Sequence, residues 1–173
     1  DGDSRADSLR RGLHCYVALQ DTEIPVPRVV TEQVAEFDGR RYTLVEKLPG
    51  RTGKRDISPE RVRNAGRTLA RIHDVRRFDA PGWIRFEDGE PTVTEFPSGG
   101  LNEWIQRTVE EHARILHEGG LESAGAELAR TFDRVGPDLP GEFDAVLCHD
   151  DFTPDNVLFR GDEVVGVLDF DRA

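Results

Sequence analysis

The sequence contains no methionine, two cysteines, and two lysines among its 23 basic residues. Cys15 and Cys148 are far apart in sequence, so they predict neither a disulfide framework nor a zinc site. We expect two buried thiols in a reducing, cytoplasmic compartment. No apolar run approaches the roughly 18 residues that a membrane helix needs, and the polar start predicts no signal peptide. The start at Asp1 and the end at Ala173 lead us to expect a fragment of a longer chain.

Positive charge is scarce relative to negative charge. The formal net charge is -11 and the isoelectric point is about 4.9. Such a surface repels phosphate backbones and anionic membranes, so we expect no nucleic-acid or membrane partner. High acidity with almost no lysine indicates either a halophilic source or a high-GC codon bias, and composition leaves both open.

Apolar residues at helical spacing predict helices over residues 8–20, 101–117 and 123–135. Another helix is expected to begin at Ser58, because serine is a good N-cap and Pro59 suits the first helical position. Trp104 should pack in a core, whereas His14 should be solvated.

Strand-like runs occupy residues 28–36 and 41–48, joined by a turn at Asp38-Gly39, and a short run ends at Cys148. Residues 156–159 and 164–168 predict a hairpin that turns at Gly161-Asp162. Residues 79–99 are rich in glycine, proline and charge, so we expect an irregular segment there, and Trp83 within it receives no role.

The hairpin predicts a convergence of polar side chains. If its turn is at Gly161-Asp162, then Asn156 and Asp169 lie at its open end, and the preceding loop brings Asp151 to the same end. Two carboxylates and an amide oxygen suit Mg²⁺ held together with substrate phosphates. A carboxylate near a transferring phosphoryl group can also orient a hydroxyl and accept its proton.

Two motifs carry a family resemblance. The pattern His149-x-Asp151-x-x-x-x-Asn156, followed by Leu-Asp-Phe-Asp at residues 168–171, resembles the catalytic loop and metal motif of the aminoglycoside phosphotransferase and choline kinase group. That group is related to the protein kinases.

The resemblance implies a role for each residue of these motifs. Asp151 would be the catalytic base, and Asn156 and Asp169 would hold Mg²⁺. His149 would be structural and pack against Phe170.

Residues 44–50 resemble the strand and hinge between kinase lobes, where the backbone of Glu46 and Leu48 would bond the adenine of ATP. The resemblance therefore implies an α+β, protein-kinase-like fold. Residues 1–48 would form a partial N-lobe with the hinge. Residues 49–173 would form a mostly helical C-lobe, truncated, with the catalytic β-hairpin.

The implied function is ATP-dependent phosphorylation of a hydroxyl group on a small molecule. Candidate acceptors are aminoglycosides, choline-like alcohols, amino alcohols and sugars. The sequence departs from the family because no lysine precedes Lys47, and because Arg11-Gly12-Leu13 stands where a glutamate is expected. We therefore expect weak or no turnover by this chain alone.

Two other functions remain open. A catalytically impaired, kinase-like module could bind a nucleotide or a partner without turnover. A metal-dependent phosphohydrolase could use the same carboxylates, although the chain lacks the additional ligands that a two-metal site requires. The oligomeric state and the roles of Asp150 and Asp171 are not predicted.

Overall fold

The structure is a computed structural model that describes residues 2–87, 90–95, 100–141 and 144–173. Within these residues the chain forms four α-helices: α1 (Gly2–Leu19), α2 (Pro59–Val75), α3 (Gly100–Glu118) and α4 (Glu122–Val135). The expected helices are thus confirmed, and α1 begins earlier than its apolar pattern predicts. None of the helices in the described part of the chain is long and apolar enough to cross a membrane.

The strands are short and form small sheets, which with the helices confirm an α+β composition. They are β1 (Ala35–Phe37), β2 (Arg40–Tyr42), β3 (Arg51–Thr52), β4 (Arg77–Phe78), β5 (Gly82–Glu87), β6 (Glu90–Glu95), β7 (Ala145–Val146), β8 (Val157–Arg160) and β9 (Glu163–Val167). The three-stranded sheet has the order β3-β8-β9, with both neighbouring pairs antiparallel. The remaining strands pair as β1-β2, β4-β7 and β5-β6.

The start of α2 agrees with its predicted capping. The hydroxyl of Ser58 accepts a hydrogen bond from the backbone N–H of Arg61 at 3.1 Å, and Pro59 occupies the first helical position. A capped first turn stabilises a helix by about 1 kcal/mol. The start of α2, the helix that contacts the β8–β9 hairpin, is therefore determined by the residues Ser58 and Pro59.

The two long strands predicted over residues 28–36 and 41–48 form only in part. β1 and β2 pair around the predicted turn, and Val29 forms an isolated bridge with Val45. Between these points the side-chain hydroxyl of Thr31 accepts a hydrogen bond from the backbone N–H of Leu44 at 2.9 Å. A side-chain oxygen that accepts a hydrogen bond from a backbone N–H takes the place of a backbone carbonyl. The regular backbone pairing between the two segments is therefore interrupted at Thr31.

The expectation of an irregular segment over residues 79–99 is wrong for β5 and β6. Side chains alternate along β5, with Ile84 buried and its neighbours on either side more exposed. This alternation satisfies the strand period of two despite the flanking glycines and prolines. Residues 88–89 and 96–99 lie outside the described residues.

One compact unit comprises residues 1–78, 84–92 and 146–173. Its core contains side chains that are almost fully buried: Cys15, Leu19, Ile24, Ile72, Ile84, Leu147, Val167, Phe170 and Ala173. Cys15 is buried as predicted, but Cys148 is exposed. Both of its neighbours, Leu147 and His149, are buried.

Residues 79–83 and 93–145 form the second unit, in which α3 packs against α4. The rings of Trp83 and Trp104 meet edge to face at 6.2 Å. Aromatic pairs in this geometry contribute more than their buried area alone. Trp104 is half-buried and Trp83 is 36% exposed, so the two rings pack against each other, but the expectation that Trp104 lies in a core is met only in part.

Candidate active site

The β8–β9 hairpin has the predicted turn and open end. Arg160 is paired with Glu163, and Gly161 adopts a positive φ of 60° that suits a tight turn. At the other end the backbone N–H of Leu168 donates to the carbonyl of Asn156 at 2.8 Å. Asn156 and Asp169 therefore lie at the open end of the hairpin.

Hydrogen bonds attach the tip of this hairpin to α2 and to its N-cap residue Ser58. The hydroxyl of Ser58 donates to the carboxylate of Asp162 at 3.1 Å. Arg61 Nε donates to the carbonyl of Gly161 at 2.9 Å, and Asn64 Nδ2 donates to the carbonyl of Asp162 at 2.9 Å. The open end thus projects from a hairpin that is held at its far end by a helix.

The loop before β8 brings Asp151 and Asn156 into direct contact. Asn156 Nδ2 donates to the carbonyl oxygen of Asp151 at 2.9 Å and lies 3.2 Å from Asp151 Oδ2. The same carbonyl accepts from the backbone N–H of Thr153 at 2.8 Å. Because the amide nitrogen of Asn156 faces Asp151, its amide oxygen is directed elsewhere.

His149 ties this loop to the chain after β9. Its side chain is 1% exposed, Nε2 lies 2.8 Å from the carbonyl oxygen of Leu168, and Nδ1 accepts from the backbone N–H of Asp151 at 3.3 Å. Only a neutral imidazole with its proton on Nε2 satisfies both bonds. Burial lowers the pKa of His149. The ring also packs against Phe170 at 4.4 Å, as the resemblance implied.

Asp169 has an exposed side chain on a constrained backbone. Its φ is 66°, in the left-handed region. Its backbone N–H donates to the hydroxyl of Tyr16 at 2.8 Å. The Tyr16 ring meets Phe170 edge to face at 5.9 Å, and burial raises the pKa of Tyr16 to about 12. Sequence reasoning missed Tyr16, because its apolar spacing in α1 indicates only a core-facing position.

Asp171 lies against α1. Arg11 Nη1 donates to its backbone carbonyl at 2.8 Å, and a Cβ added at Gly12 would lie 2.3 Å from its Oδ1 atom. Burial, and to a lesser extent the charge of Asp169, raise the pKa of the Asp171 carboxyl, while Arg11 opposes this. The side chain of Asp171 therefore docks on the helix.

Glu46 and Leu48 lie elsewhere on the same unit. The backbone N–H of Glu46 donates to the carbonyl of Arg28 at 2.7 Å, and the Glu46 side chain is exposed. The side chains of Leu48 and Leu158 both lie against Gly166 in the middle of the hairpin. Within the described residues, Glu46 and Leu48 form no hydrogen bond with Asp151, Asn156 or Asp169.

The donor set at the open end fits a hard divalent cation. It offers the exposed carboxylate of Asp169 and the amide oxygen of Asn156, with the carboxylate of Asp151 beside them. In the part of the chain that the structure describes, no group of three or more His, Cys, Asp and Glu side chains is arranged to hold a metal ion. A cation here would therefore take further ligands from outside these side chains, which phosphate oxygens and water supply for Mg²⁺.

Comparison with known proteins finds homoserine kinases among the relatives of this chain. Homoserine kinase of Sinorhizobium fredii is 28% identical over 162 residues, a stretch that covers 92% of this chain and 42% of that protein. Homoserine kinase of Rhizobium rhizogenes is also 28% identical, with 92% and 43% covered. Homoserine kinase of Zymomonas mobilis is 25% identical, with 91% and 48% covered. The chain thus spans less than half the length of these relatives.

The family profile covers nearly the whole chain. The profile of the phosphotransferase enzyme family, APH, matches residues 2–173, which include both motifs at the open end of the hairpin. Low identity to individual relatives leaves the acceptor unspecified, but a match of this extent establishes the family. The chain belongs to the APH phosphotransferase enzyme family.

Proposed function

We propose that this chain carries the catalytic centre of an ATP-dependent kinase that phosphorylates a hydroxyl group of a small molecule. The observation that supports this most is the contact between Asp151 and Asn156 at the same hairpin end as Asp169. Family membership supports a phosphotransferase with a small-molecule acceptor.

Asp151 is proposed as the catalytic base. Its half-buried carboxylate is oriented by the Asn156 amide, and its backbone N–H is fixed by His149. A carboxylate held in this way can accept a hydrogen bond from the acceptor hydroxyl and take its proton as the phosphoryl group is transferred. Positioning of this kind accounts for most catalysis in phosphoryl transfer.

Asn156 and Asp169 are proposed to hold Mg²⁺. Mg²⁺ bound there would neutralise charge on the ATP phosphates. Asp169 contributes an exposed carboxylate, and Asn156 contributes the amide oxygen that faces away from Asp151. Both residues extend from the ends of paired strands, so their separation is set by the hairpin and not by a free loop.

Glu46 and Leu48 are proposed to bind the adenine of ATP through their backbone. The N–H of Glu46 is already bonded to Arg28, so its carbonyl is the group proposed to accept from adenine. Leu48 would donate its N–H, and its side chain lies beside Leu158 and Gly166. In this arrangement residues 1–48 form part of the N-lobe and residues 49–173 form the C-lobe.

The acceptor proposed for the first assay is homoserine or a similar amino alcohol. The relatives named above are homoserine kinases, and the alignment with each covers more than nine-tenths of this chain. Homoserine carries a primary hydroxyl group, which is the kind of acceptor that a carboxylate base would orient. Because the chain spans less than half of these relatives, the activity of the whole protein is itself part of the proposal.

Binding of a nucleotide without turnover is the second candidate. It is favoured by the stretch Arg11-Gly12-Leu13, which has no acidic residue where the family resemblance leads us to expect one, and in which Arg11 bonds the carbonyls of Ile84 and Asp171. A stretch without a carboxylate cannot supply the anionic partner of a phosphate-binding lysine. Mg·ATP binding without phosphorylation of any hydroxyl acceptor would support this candidate over the kinase.

Calorimetric titration of ATP, with and without Mg²⁺, tests the proposed metal site. We expect Mg²⁺-dependent binding by the native sequence and its loss in Asp169→Asn. Asp155→Asn is the matched control, because Asp155 is in the same loop but its side chain pairs with Lys54 at 3.0 Å. Equal loss in both variants, or no Mg²⁺-dependent binding by the folded native chain, would contradict the proposal.

A second assay then tests turnover. With homoserine and Mg·ATP, formation of phosphorylated acceptor together with ADP would support the kinase. Release of inorganic phosphate without acceptor phosphorylation would support a hydrolase.

A further inference from the structure

The conformation of Asp169 requires an external support. A residue other than glycine with φ of 66° is in a region that most L-residues avoid, although aspartate tolerates it better than most. Such conformations persist where the surrounding contacts over-determine them, and they concentrate at functional sites. The contacts around Asp169 therefore indicate what sets the direction of its carboxylate.

The neighbours of Asp169 are fixed on both sides. Leu168 is held through its N–H by Asn156 and through its carbonyl by His149. Phe170 is fully buried. The Leu168 carbonyl and the Asp169 N–H belong to one planar peptide, so His149 holds one side of that peptide and the partner of the Asp169 N–H holds the other side.

That N–H is bonded to the hydroxyl of Tyr16 at 2.8 Å. The two residues are 153 positions apart in sequence, so the bond is made by the packing of α1 against the end of the hairpin. The Tyr16 ring lies edge-on to Phe170, which limits where its hydroxyl can point. Neither the apolar pattern of α1 nor the two family motifs assign a function to Tyr16.

The helix that carries Tyr16 is itself held close to the motif. Gly12, one helical turn before Tyr16, lies so close to Asp171 that its missing side chain makes room for the Asp171 carboxylate. Arg11 donates to the backbone carbonyl of Asp171. These two contacts to Asp171 hold α1 beside the motif, and so keep the hydroxyl of Tyr16 next to the Asp169 N–H.

We propose that Tyr16 is a positioning residue whose hydroxyl fixes the Asp169 backbone and so aims the Asp169 carboxylate at Mg²⁺. The inference rests on the proposed function, since it takes Asp169 as a metal ligand. Tyr16 touches neither the nucleotide nor the metal in this scheme and acts only through Asp169.

Tyr16→Phe tests the inference, because it removes the hydroxyl and keeps the ring against Phe170. Tyr42→Phe is the matched control: Tyr42 is the other tyrosine of the sequence and lies on the exposed strand β2. Each variant is titrated with Mg²⁺ at a fixed ATP concentration, and ATP binding is measured separately with EDTA. Thermal unfolding followed by circular dichroism checks that both variants are folded.

We expect Tyr16→Phe to require about fivefold to tenfold more Mg²⁺ for half-saturation, the effect of losing one hydrogen bond. ATP binding with EDTA should be unchanged, because a general loss of structure would weaken both kinds of binding. Tyr42→Phe should match the native chain.

The outcomes separate the inference from the function on which it rests. Native Mg²⁺ dependence in Tyr16→Phe, with Asp169→Asn still defective, would overturn the inference and leave the function standing. Equal weakening with and without Mg²⁺ would also overturn it, by showing a merely structural role. Absence of Mg²⁺-dependent binding in the native chain would overturn both.

Discussion

The Nε2 atom of His149 lies 2.8 Å from the carbonyl oxygen of Leu168, and this bond joins the loop before β8 to the segment after β9. Together with the bond from the Asp151 N–H to Nδ1, it engages both ring nitrogens. A proton added at Nδ1 would remove the acceptor that Asp151 uses. The neutral state of one buried imidazole therefore holds the two halves of the proposed catalytic motif together.

This arrangement predicts that stability falls in mild acid. Burial lowers the pKa of His149 below its ordinary value of 6.5. The unfolded chain thus takes up a proton at a higher pH than the folded chain does, so the free energy of unfolding decreases as the pH falls below about 6.5. Denaturant titrations between pH 8 and pH 5 measure this slope.

His149→Gln should reduce the slope and lower stability at pH 8 by about 1–3 kcal/mol, because it removes the ring that bonds both the Leu168 carbonyl and the Asp151 N–H. Some slope should remain, because burial also lowers the pKa of His14, which stacks on Phe86 at 4.6 Å. Adding His14→Gln to His149→Gln should reduce the slope further. An unchanged slope in His149→Gln would show that this histidine does not couple folding to pH.

Ser58→Ala is expected to destabilise the protein by about 1 kcal/mol, because it removes the N-cap of α2. For a chain of this size, that loss lowers the melting temperature by roughly 2–4 °C. The hydroxyl also bonds Asp162, so the variant loosens the hairpin tip.

Ser123→Ala is the control for Ser58→Ala, since Ser123 is exposed within α4 and does not cap that helix. Circular dichroism melting compares the two. Equal melting temperatures for both variants would show that the cap contributes nothing.

The sequence correctly predicted the elements that are determined by residues close together in the chain. The cap at Ser58 located the start of α2, and the spacing between Asn156 and Asp169 located the turn of the hairpin and its open end. Both are decided by contacts within a few residues or within one hairpin. The same signals failed for β5 and β6, where glycine and proline suggested irregular chain although buried Ile84 and the alternation around it favour strands.

Contacts between distant segments could not be read from the sequence. His14 was expected to be solvated and instead stacks on Phe86, because α1 packs against a strand that was not foreseen. The bond between Tyr16 and Asp169 depends on the same packing. An apolar pattern identifies the buried face of a helix but not the residues against which that face packs.

Asp151→Asn should slow phosphotransfer while leaving nucleotide binding intact. An amide cannot take the proton of the acceptor hydroxyl, so we expect the rate to fall by about 10²–10⁴-fold. Its oxygen can still accept from Asn156 Nδ2, so the loop should keep its fold. ADP formation with homoserine measures turnover, and calorimetry with Mg·ATP measures binding.

Asp150→Asn is the control for Asp151→Asn. Asp150 is exposed and has a φ of 58°, a conformation that asparagine also tolerates. This variant should retain turnover. Comparable loss in both variants would mean that charge in the loop, and not a base at residue 151, is what the reaction requires.

Two glycine-to-alanine substitutions should change stability in opposite directions. Both Gly12 and Gly66 lie inside helices, where alanine is favoured by up to about 1 kcal/mol. At Gly66 an added Cβ would meet no atom within 4 Å, so Gly66→Ala should raise the melting temperature. At Gly12 the Cβ would lie 2.3 Å from Asp171 Oδ1, so either α1 or the Asp171 carboxylate must move.

Overpacking of this kind costs about 1–3 kcal/mol, which exceeds the helical gain, so Gly12→Ala should lower the melting temperature. It should also raise the Mg²⁺ concentration needed for ATP binding, because displacement of Asp171 disturbs Asp169 two residues earlier. Gly66→Ala should leave Mg²⁺ dependence unchanged. A Gly12→Ala variant that is as stable as Gly66→Ala, with native Mg²⁺ dependence, would show that the Asp171 side chain can leave α1 without consequence for the metal site.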